Sequence, residues 1–160
     1  MKKSFFYMLL AVLPLAWGCS SDDDDDPVDP DQPKKTELTE GNDERPVWGD
    51  PDYLSFGLTM AVQFRLQEAL EEYVSDQDLL CARIGGDVRA VTAPENSEGQ
   101  IYFPLVIAAN STESMVSISY YCDKLHRIFT ITDWHRFDTS LSPLDNGEPY
   151  LLEFLTTTQE

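Results

Sequence analysis

Basic residues are scarce in this chain. Its 160 residues include 11 lysines and arginines against 29 aspartates and glutamates, which gives a formal net charge of −18. A surface this acidic repels phosphate backbones and anionic lipid headgroups. The composition therefore argues against nucleic-acid binding and against peripheral, electrostatic membrane binding.

Catalytic and metal-binding motifs are also missing. His126 and His135 are the only histidines, and neither lies in a motif that would orient an imidazole for nucleophilic catalysis. Cys81 and Cys122 offer too few ligands for a zinc site. The acidic loop of residues 138–148 follows no EF-hand order, and turn chemistry accounts for its composition. We therefore expect no enzymatic activity, no cofactor and no metal.

The longest apolar run is too short to span a membrane. It covers residues 5–15, whereas a spanning helix needs about 20 apolar residues. Two lysines precede the run, and Cys19 follows Ala16-Trp17-Gly18. This order predicts a cleaved lipoprotein signal peptide over residues 1–18. We expect acylation of Cys19 and a lipid anchor in the membrane.

An acidic, polar segment follows Cys19. Residues 20–44 contain 2 basic and 11 acidic residues and show no apolar periodicity. Such a segment cannot bury enough surface to offset its chain entropy, so residues 19–44 are predicted to form a disordered tether. Residues 45–160 then remain for the folded part, which is enough for one domain.

The start of this tether resembles a known export signal. The residues concerned are Ser20 and Ser21, followed by Asp22, Asp23, Asp24, Asp25 and Asp26. A cysteine, serines and an acidic run resemble the surface-export signal of Bacteroidota lipoproteins. The resemblance implies an outer-membrane lipoprotein exposed on the cell surface. The alternative interpretation of the aspartates is a solubilising spacer.

The remaining sequence shows the period-two alternation of half-buried strands. Seven strands are predicted, over residues 58–66, 79–84, 87–92, 101–108, 116–121, 127–131 and 150–155. Pro104 places its strand at a sheet edge, because proline cannot donate to the ladder. Residues 67–74 have helical spacing and predict a turn or two of helix. Short strands separated by turn signals indicate a β-sandwich.

Gly85-Gly86 predicts a two-residue hairpin turn between two of these strands. A primed turn needs positive φ, which glycine adopts without steric cost. The turn places Ile84 opposite Asp87. Neither face of the hairpin is then cleanly apolar, and a bulge is one way in which the register could shift.

The same region carries a second resemblance. Residues 76–91, which include Cys81 and Gly85-Gly86, resemble a segment found in many Bacteroidota surface and secreted proteins, and the resemblance extends over residues 48–154. Arg83 and Ala90 depart from that pattern. The resemblance implies an immunoglobulin-like antiparallel β-sandwich of about seven strands, with no fixed activity or ligand.

Two groups of side chains are candidates for function or cross-linking. Trp134, with Asp133 and Arg136 beside it, could stack on a ligand and hydrogen-bond to its polar groups. Packing of the indole in the core is the alternative. Cys81 and Cys122 could form a disulfide in an exported protein, or could remain as buried thiols.

Together these features predict a surface-anchored, non-catalytic accessory module. Its expected partner is an extracellular glycan or protein. The alternative is a structural subunit that docks onto another outer-membrane or surface protein through an exposed strand edge or an apolar patch.

Overall fold

The computed structural model describes residues 38–154, and nearly half of them are in strands. The elements, after a single 3-10 turn at Tyr53–Ser55, are β1 (Leu58–Leu66), α1 (Glu68–Glu71), β2 (Leu79–Ile84), β3 (Asp87–Thr92), β4 (Glu95–Ser97), β5 (Gln100–Ala109), β6 (Met115–Cys122), β7 (Arg127–Arg136) and β8 (Tyr150–Leu152). Within this part of the chain, no helix has the length and apolarity that crossing a membrane requires.

Two four-stranded sheets confirm the predicted β-sandwich. The first sheet has the order β4-β5-β1-β8, and the second has the order β3-β2-β6-β7. Two details differ from the prediction. Residues 38–154 contain eight strands, one more than predicted, because β4 carries no apolar residue and gives no alternation signal. The pairing is also not wholly antiparallel, because β8 runs parallel to β1.

The core lies between the inner faces of the two sheets. Pairing of β1 with β5 places Val62 opposite Leu105 and Phe64 opposite Phe103, and all four side chains are buried. Tyr120 of β6 faces them from the second sheet, with its ring centroid 5.8 Å from that of Phe103. The alternation in the sequence thus corresponds to one buried face on each strand.

Pro104 does not lie on an edge strand, which corrects the prediction. Its strand, β5, lies between β4 and β1. Pro104 pairs with Gln63, whose backbone N–H points away from β5 and donates to Pro143 O at 2.9 Å. The ring nitrogen of Pro104 therefore points to the β4 side, where β4 pairs only with residues 100–102. Because β4 has no partner at this position, the backbone N–H that proline lacks is not needed for a hydrogen bond between β4 and β5.

The Gly85-Gly86 hairpin is confirmed. The two glycines have φ of +60° and +90°, and Ile84 lies opposite Asp87. A register shift at Ala82/Arg83 then places Ala82 opposite Ala90, and both alanines are buried in the core. The bulge is how this hairpin gains an apolar inner face.

Residues 38–57, here called the N-terminal arm, lie against the second sheet. Gly41 N donates to Leu125 O and Asp43 N donates to His126 O, both at 2.8 Å, in the turn that joins β6 to β7. The Asp43 carboxylate accepts from Ile128 N at 2.8 Å. Residues 39–43 are therefore hydrogen-bonded to the sandwich. They fall within the predicted tether of residues 19–44, and side-chain and backbone bonds, which leave no apolar periodicity in the sequence, hold them.

Two arginines fasten the rest of the arm. The Arg83 guanidinium lies 5.7 Å from the centre of the Trp48 ring, and that of Arg89 lies 4.4 Å from the centre of Phe56. Both arginines come from the β2–β3 hairpin. The arm thus crosses the outer face of the second sheet and is held there by cation–π contacts.

Candidate ligand-binding surface

The outer face of the first sheet is open to solvent along part of its length: Val106 is exposed there, whereas Ala108, the next residue of the same row, is fully buried. Its central row is formed by alternate residues of β5, namely Tyr102, Pro104 and Val106, because Phe103 and Leu105 point into the core. Val106 is 50% exposed and Leu151, on β8, is 41% exposed. This face therefore presents one aliphatic side chain to solvent on a central strand, Val106, and one on the edge strand, Leu151.

A groove opens at one end of this face. Its volume is about 580 Å³, and its lining residues are Arg65, Glu71, Glu72, Gly99, Gln100, Ile101, Tyr102, Glu148 and Pro149. They come from the end of β1, from α1, from the β4–β5 turn and from the segment before β8. Because these elements are far apart in sequence, the groove exists only in the folded chain.

Local structure explains why these elements meet. Leu70, the buried residue of α1, packs into the core and leaves Glu71 and Glu72 exposed beside the end of β1. Gly99 has a φ of +84°, which closes the tight turn between β4 and β5 and brings Tyr102 alongside β1. Arg65 pairs with Leu151, so Glu148 and Pro149, which come just before β8, form the other side of the groove.

The groove combines one aromatic ring, several carboxylates and one guanidinium. Tyr102 is half-buried, whereas Arg65, Glu71 and Glu148 are exposed. A ring flanked by charged hydrogen-bonding groups can stack on a flat or cationic group and fix its orientation. The arrangement suits reversible binding at the surface.

Trp134, the predicted ligand-stacking residue, packs against other aromatic rings in the structure. The indole meets Phe64 edge-on with centroids 4.8 Å apart, and it meets Tyr150 edge-on at 5.7 Å. Trp134 is half-buried against the core. This placement favours the packing interpretation over ligand stacking.

Asp133 and Arg136, the residues predicted to assist Trp134, lie in a distorted part of β7. Asp133 has a φ of +54°, and the β6–β7 register shifts between Val116 and Ile118 at the same level. The extra residues in β7 interrupt the alternation of its side chains between the two faces of the sheet. Asp133 and Arg136 are both exposed. Neither has a described contact with the Trp134 ring.

The suggested disulfide is not formed. Cys81 and Cys122 are both free and buried. Cys81 pairs with Ser119, on the row that points away from the core, whereas Cys122 belongs to the core row of β6. Side chains on opposite faces of one sheet cannot bridge. Burial raises the pKa of Cys81 to about 11 and also raises that of Cys122.

Sequence reasoning missed a buried carboxylate, Asp78. It is fully buried and accepts hydrogen bonds from the Tyr120 hydroxyl at 2.6 Å, the Ser75 hydroxyl at 2.8 Å and Asp123 N at 2.9 Å. Burial, and next the hydrogen bond to Asp78, raise the pKa of Tyr120. Asp78 joins the segment before β2 to the end of β6. Because these donors satisfy its carboxylate, Asp78 has a structural role. The Ser75-x-x-Asp78 spacing was the sequence signal from which a hydrogen-bonded carboxylate could have been predicted.

The histidines and the acidic loop show no catalytic or metal-binding arrangement in the part of the chain that is described. Nδ1 of His135 lies 2.6 Å from Arg136 O, and His126 sits in the β6–β7 turn with a φ of +46°. Residues 38–154 contain no group of three or more potential metal ligands. Asp145 and Glu148 instead form an isolated bridge in a tight turn.

The remaining predicted site residues lie outside the described part of the chain. These are Cys19, Ser20, Ser21, Asp22, Asp23, Asp24, Asp25 and Asp26. Their predicted roles in lipid attachment and export therefore stay predictions.

Comparison with known proteins does not identify a family for the chain. No family model, no curated protein and no solved structure matches it. Its function is consequently argued from the residues and contacts described above.

Proposed function

We propose that this chain is an outer-membrane lipoprotein, anchored through Cys19 and exposed on the cell surface, whose β-sandwich is a non-catalytic binding module. Its ligand is an extracellular glycan or protein partner. The proposal draws its location from the signal-like order of residues 1–19 and from the resemblance to Bacteroidota lipoproteins. It draws its binding role from the uncovered face of the first sheet.

One observation carries the binding role. The groove at the end of the first sheet combines Tyr102 with Arg65 and glutamates, and the exposed side chain of Leu151 lies beside Arg65. Binding sites typically join flat apolar surface to a few placed polar groups. Exposed apolar patches beside such groups mark interaction surfaces more often than chance.

A second candidate function draws on the exposed aliphatic residues of the first sheet. Val106 and Leu151 are exposed on two different strands of its outer face, and a broad contact over this face would dock the domain onto a larger surface protein as a structural subunit. In that case the groove lies at the rim of the contact and contributes less than the sheet face. Substitutions on the two parts separate the alternatives.

The binding role is tested with the intact lipidated protein in detergent. A pull-down from the native membrane is run beside a glycan array, with Tyr102→Ala as the groove variant. Tyr53→Ala is the matched control, because Tyr53 is an exposed tyrosine on the arm. We expect Tyr102→Ala to lose most of the captured ligand and the control to keep it. Equal capture by both variants would remove the groove from the binding site.

The location is tested separately. Cys19→Ser should abolish incorporation of a fatty-acid analogue, since the thioether is the first acyl attachment. Changing all five aspartates from Asp22 to Asp26 to alanine should keep the lipid but protect the protein from protease added to whole cells. Equal digestion of the variant and the parent would support the alternative, that the aspartates form a solubilising spacer.

A further inference from the structure

The N-terminal arm is bound to the domain without belonging to its core. No residue of 38–57 is fully buried, and none lies in a strand. Val47 and Leu54 are 99% and 97% exposed, whereas Trp48 and Phe56 are half-buried on their arginines. A segment with so few buried contacts separates at a lower free energy than the core strands do. The arm can therefore leave while the sandwich stays folded.

The arm and the surface beneath it are complementary in charge. Residues 38–57 contain five acidic residues and one basic residue, and three arginines of the sandwich receive them. The three contacts are Arg83 with Trp48, Arg89 with Phe56, and Arg127 with Thr39. An acidic segment with aromatic rings suits such a cationic surface. Every copy of this chain carries both the segment and the surface.

Gly41 gives the arm a defined seat. A Cβ at this position would stand 2.7 Å from His126 O and 3.3 Å from Arg127 Cβ, which is too close to the backbone oxygen. The absence of a side chain lets Gly41 N donate to Leu125 O at 2.8 Å. At Gly49, in contrast, a Cβ would meet nothing within 4 Å. The seat therefore selects the arm sequence at one position and tolerates change at the other.

The docked arm also leaves a buried donor unsatisfied. Among residues 38–154, Arg89 Nε is the buried side-chain nitrogen or oxygen that has no hydrogen-bond partner. The Phe56 ring lies 4.4 Å from the centre of this guanidinium, and Nη2 lies 3.4 Å from Asp87. A buried donor without a partner costs free energy, which offsets part of the gain from stacking. This cost weakens the hold of the arm and favours reversible docking.

Separation of the arm leaves the strand ladders intact. The arm ends at Gly57, directly before β1, and its last hydrogen bond runs from Gly57 N to Asn110 Oδ1 at 3.0 Å. A Cβ at Gly57 would meet nothing within 4 Å, so the chain has room to turn there. The arm of one copy can make the same contacts on its own domain or on another. The number of chains available then sets the balance between the two arrangements.

We propose that the outer face of the second sheet is an exchange site, on which the arm of one copy of this chain docks in place of the arm of a second copy. The partner is thus a second copy of this chain, and the arm is the segment that joins the two. This surface is distinct from the groove on the first sheet, so the inference goes beyond the proposed function and does not depend on the ligand of the groove.

The test uses two forms of the intact chain in detergent, each with its own tag. One form carries Arg45→Cys on the arm, and the other carries Gln77→Cys on the domain. Arg45 donates to Gln77 in the docked arm, and both positions are exposed. A short thiol-to-thiol cross-linker then joins the two forms when the arm of the first lies on the domain of the second. We expect a cross-linked heterodimer whose yield rises with protein concentration.

A second cysteine position controls for chance encounters. Glu113→Cys replaces Gln77→Cys on the domain, because Glu113 is exposed and precedes β6, whereas the segment of Gln77 lies by the other end of β6. This pair of forms should give little heterodimer at any concentration. Chance encounters, including two chains in one micelle, would join both pairs equally.

Gly41→Ala gives opposite predictions on the two forms. On the form with Arg45→Cys it should lower the yield of heterodimer, because an arm with a Cβ at this position fits neither domain. On the form with Gln77→Cys it should raise the yield about fivefold, because the form's own arm no longer covers the face. Gly49→Ala is the matched control and should leave both yields unchanged. Thermal melts of each variant confirm that the fold persists.

Three results would overturn the proposal. The first is a heterodimer yield no higher than that of the Glu113→Cys control. The second is an equal effect of Gly41→Ala on the two forms, which would mean that the chains associate through another surface. The third is binding of a fluorescent peptide of residues 38–57 to the Gly41→Ala chain without any heterodimer of full chains. In that case the arm is a cover over a site for a different partner.

Discussion

Tyr121 on the second sheet and Val106 on the first both point outward from the sandwich, yet Tyr121 is 1% exposed and Val106 is 50% exposed. The difference comes from the N-terminal arm, whose residues 41–45 lie beside Tyr121, whereas Val106 stays half exposed. The domain thus covers the outer face of the second sheet with its own chain and leaves this part of the first sheet open. This asymmetry teaches that the exposed aliphatic residues of the first sheet are not a general property of the fold.

The largest effect is expected from loosening the arm. Trp48→Ala combined with Phe56→Ala removes both rings that receive the arginines, and it should lower the free energy of unfolding by about 2 kcal/mol through lost cation–π contact and burial. Val106→Ala combined with Leu151→Ala, on the uncovered face, should change it by no more than about 0.5 kcal/mol. Urea denaturation of the parent and the two double variants measures both. Equal losses of unfolding free energy in the two double variants would contradict the view that the arm stabilises one face and not the other.

Cys81 reports on the covered face directly. It is buried on the outward row of the second sheet, and its neighbour Arg83 stacks under Trp48. With a pKa of about 11, its thiolate fraction near pH 8 is about a hundredfold below that of a thiol at the ordinary value of 9.0. Maleimide should label the intact protein slowly, and Trp48→Ala with Phe56→Ala should accelerate labelling of Cys81 about tenfold.

Cys122 is the internal control for this labelling, because it points into the core and not toward the arm. Mass spectrometry of the two cysteine peptides separates their rates. If the arm variant accelerates both cysteines equally, the domain has opened globally and the arm is not a separate cover.

Gly86→Val tests the hairpin that supplies Arg83 and Arg89 to the arm. The φ of +90° at Gly86 strains any β-branched residue, although nothing lies within 4 Å of the point where a Cβ would stand. We expect a loss of about 1 kcal/mol in thermal melts. Gly85→Asn is the control, since asparagine tolerates a φ of +60° at the first position of this turn. A midpoint unchanged by Gly86→Val would mean that the turn is not held as described.

The smallest effect concerns the loop after β7, on the side of the first sheet. Hydrogen bonds from the Ser140 hydroxyl and backbone N–H lower the pKa of Asp138 from its ordinary value of 3.8. A lowered folded pKa stabilises the protein above the unfolded pKa, and this contribution disappears as the pH falls through the folded pKa. Asp138→Asn should therefore melt slightly lower than the parent at pH 6, and the gap should close in strong acid. A gap that is constant with pH would exclude the carboxylate as its source.

Much of the fold could be predicted because its strands alternate cleanly. The bounds of β1, β2 and β3 match the predicted ranges, and two adjacent glycines identified the hairpin. The strand β4 was missed because Glu95–Ser97 is polar throughout. The arm was missed because arginine–aromatic stacking and bonds to turn carbonyls leave no periodic pattern in a sequence.

The candidate site could not be predicted for a different reason. Arg65, Tyr102 and Glu148 are separated by dozens of residues and meet only after β5 and β8 have paired with β1. Trp134 attracted attention as a large aromatic beside charged residues, but the irregularity at Asp133 changes which way the following side chains point. Local patterns locate strands, whereas a surface assembled from several strands depends on their pairing.

The bonds between the arm and the β6–β7 turn also have a mechanical consequence. The backbone N–H groups of Gly41 and Asp43 donate to the Leu125 and His126 carbonyls one after the other along the arm. A pull on the N-terminal side of Leu38 would load these bonds first and peel the arm residue by residue. The hydrogen-bonded ladders of β1 follow the arm in the chain and would bear the force only after the arm had detached. The sandwich would then stay folded while the arm detaches.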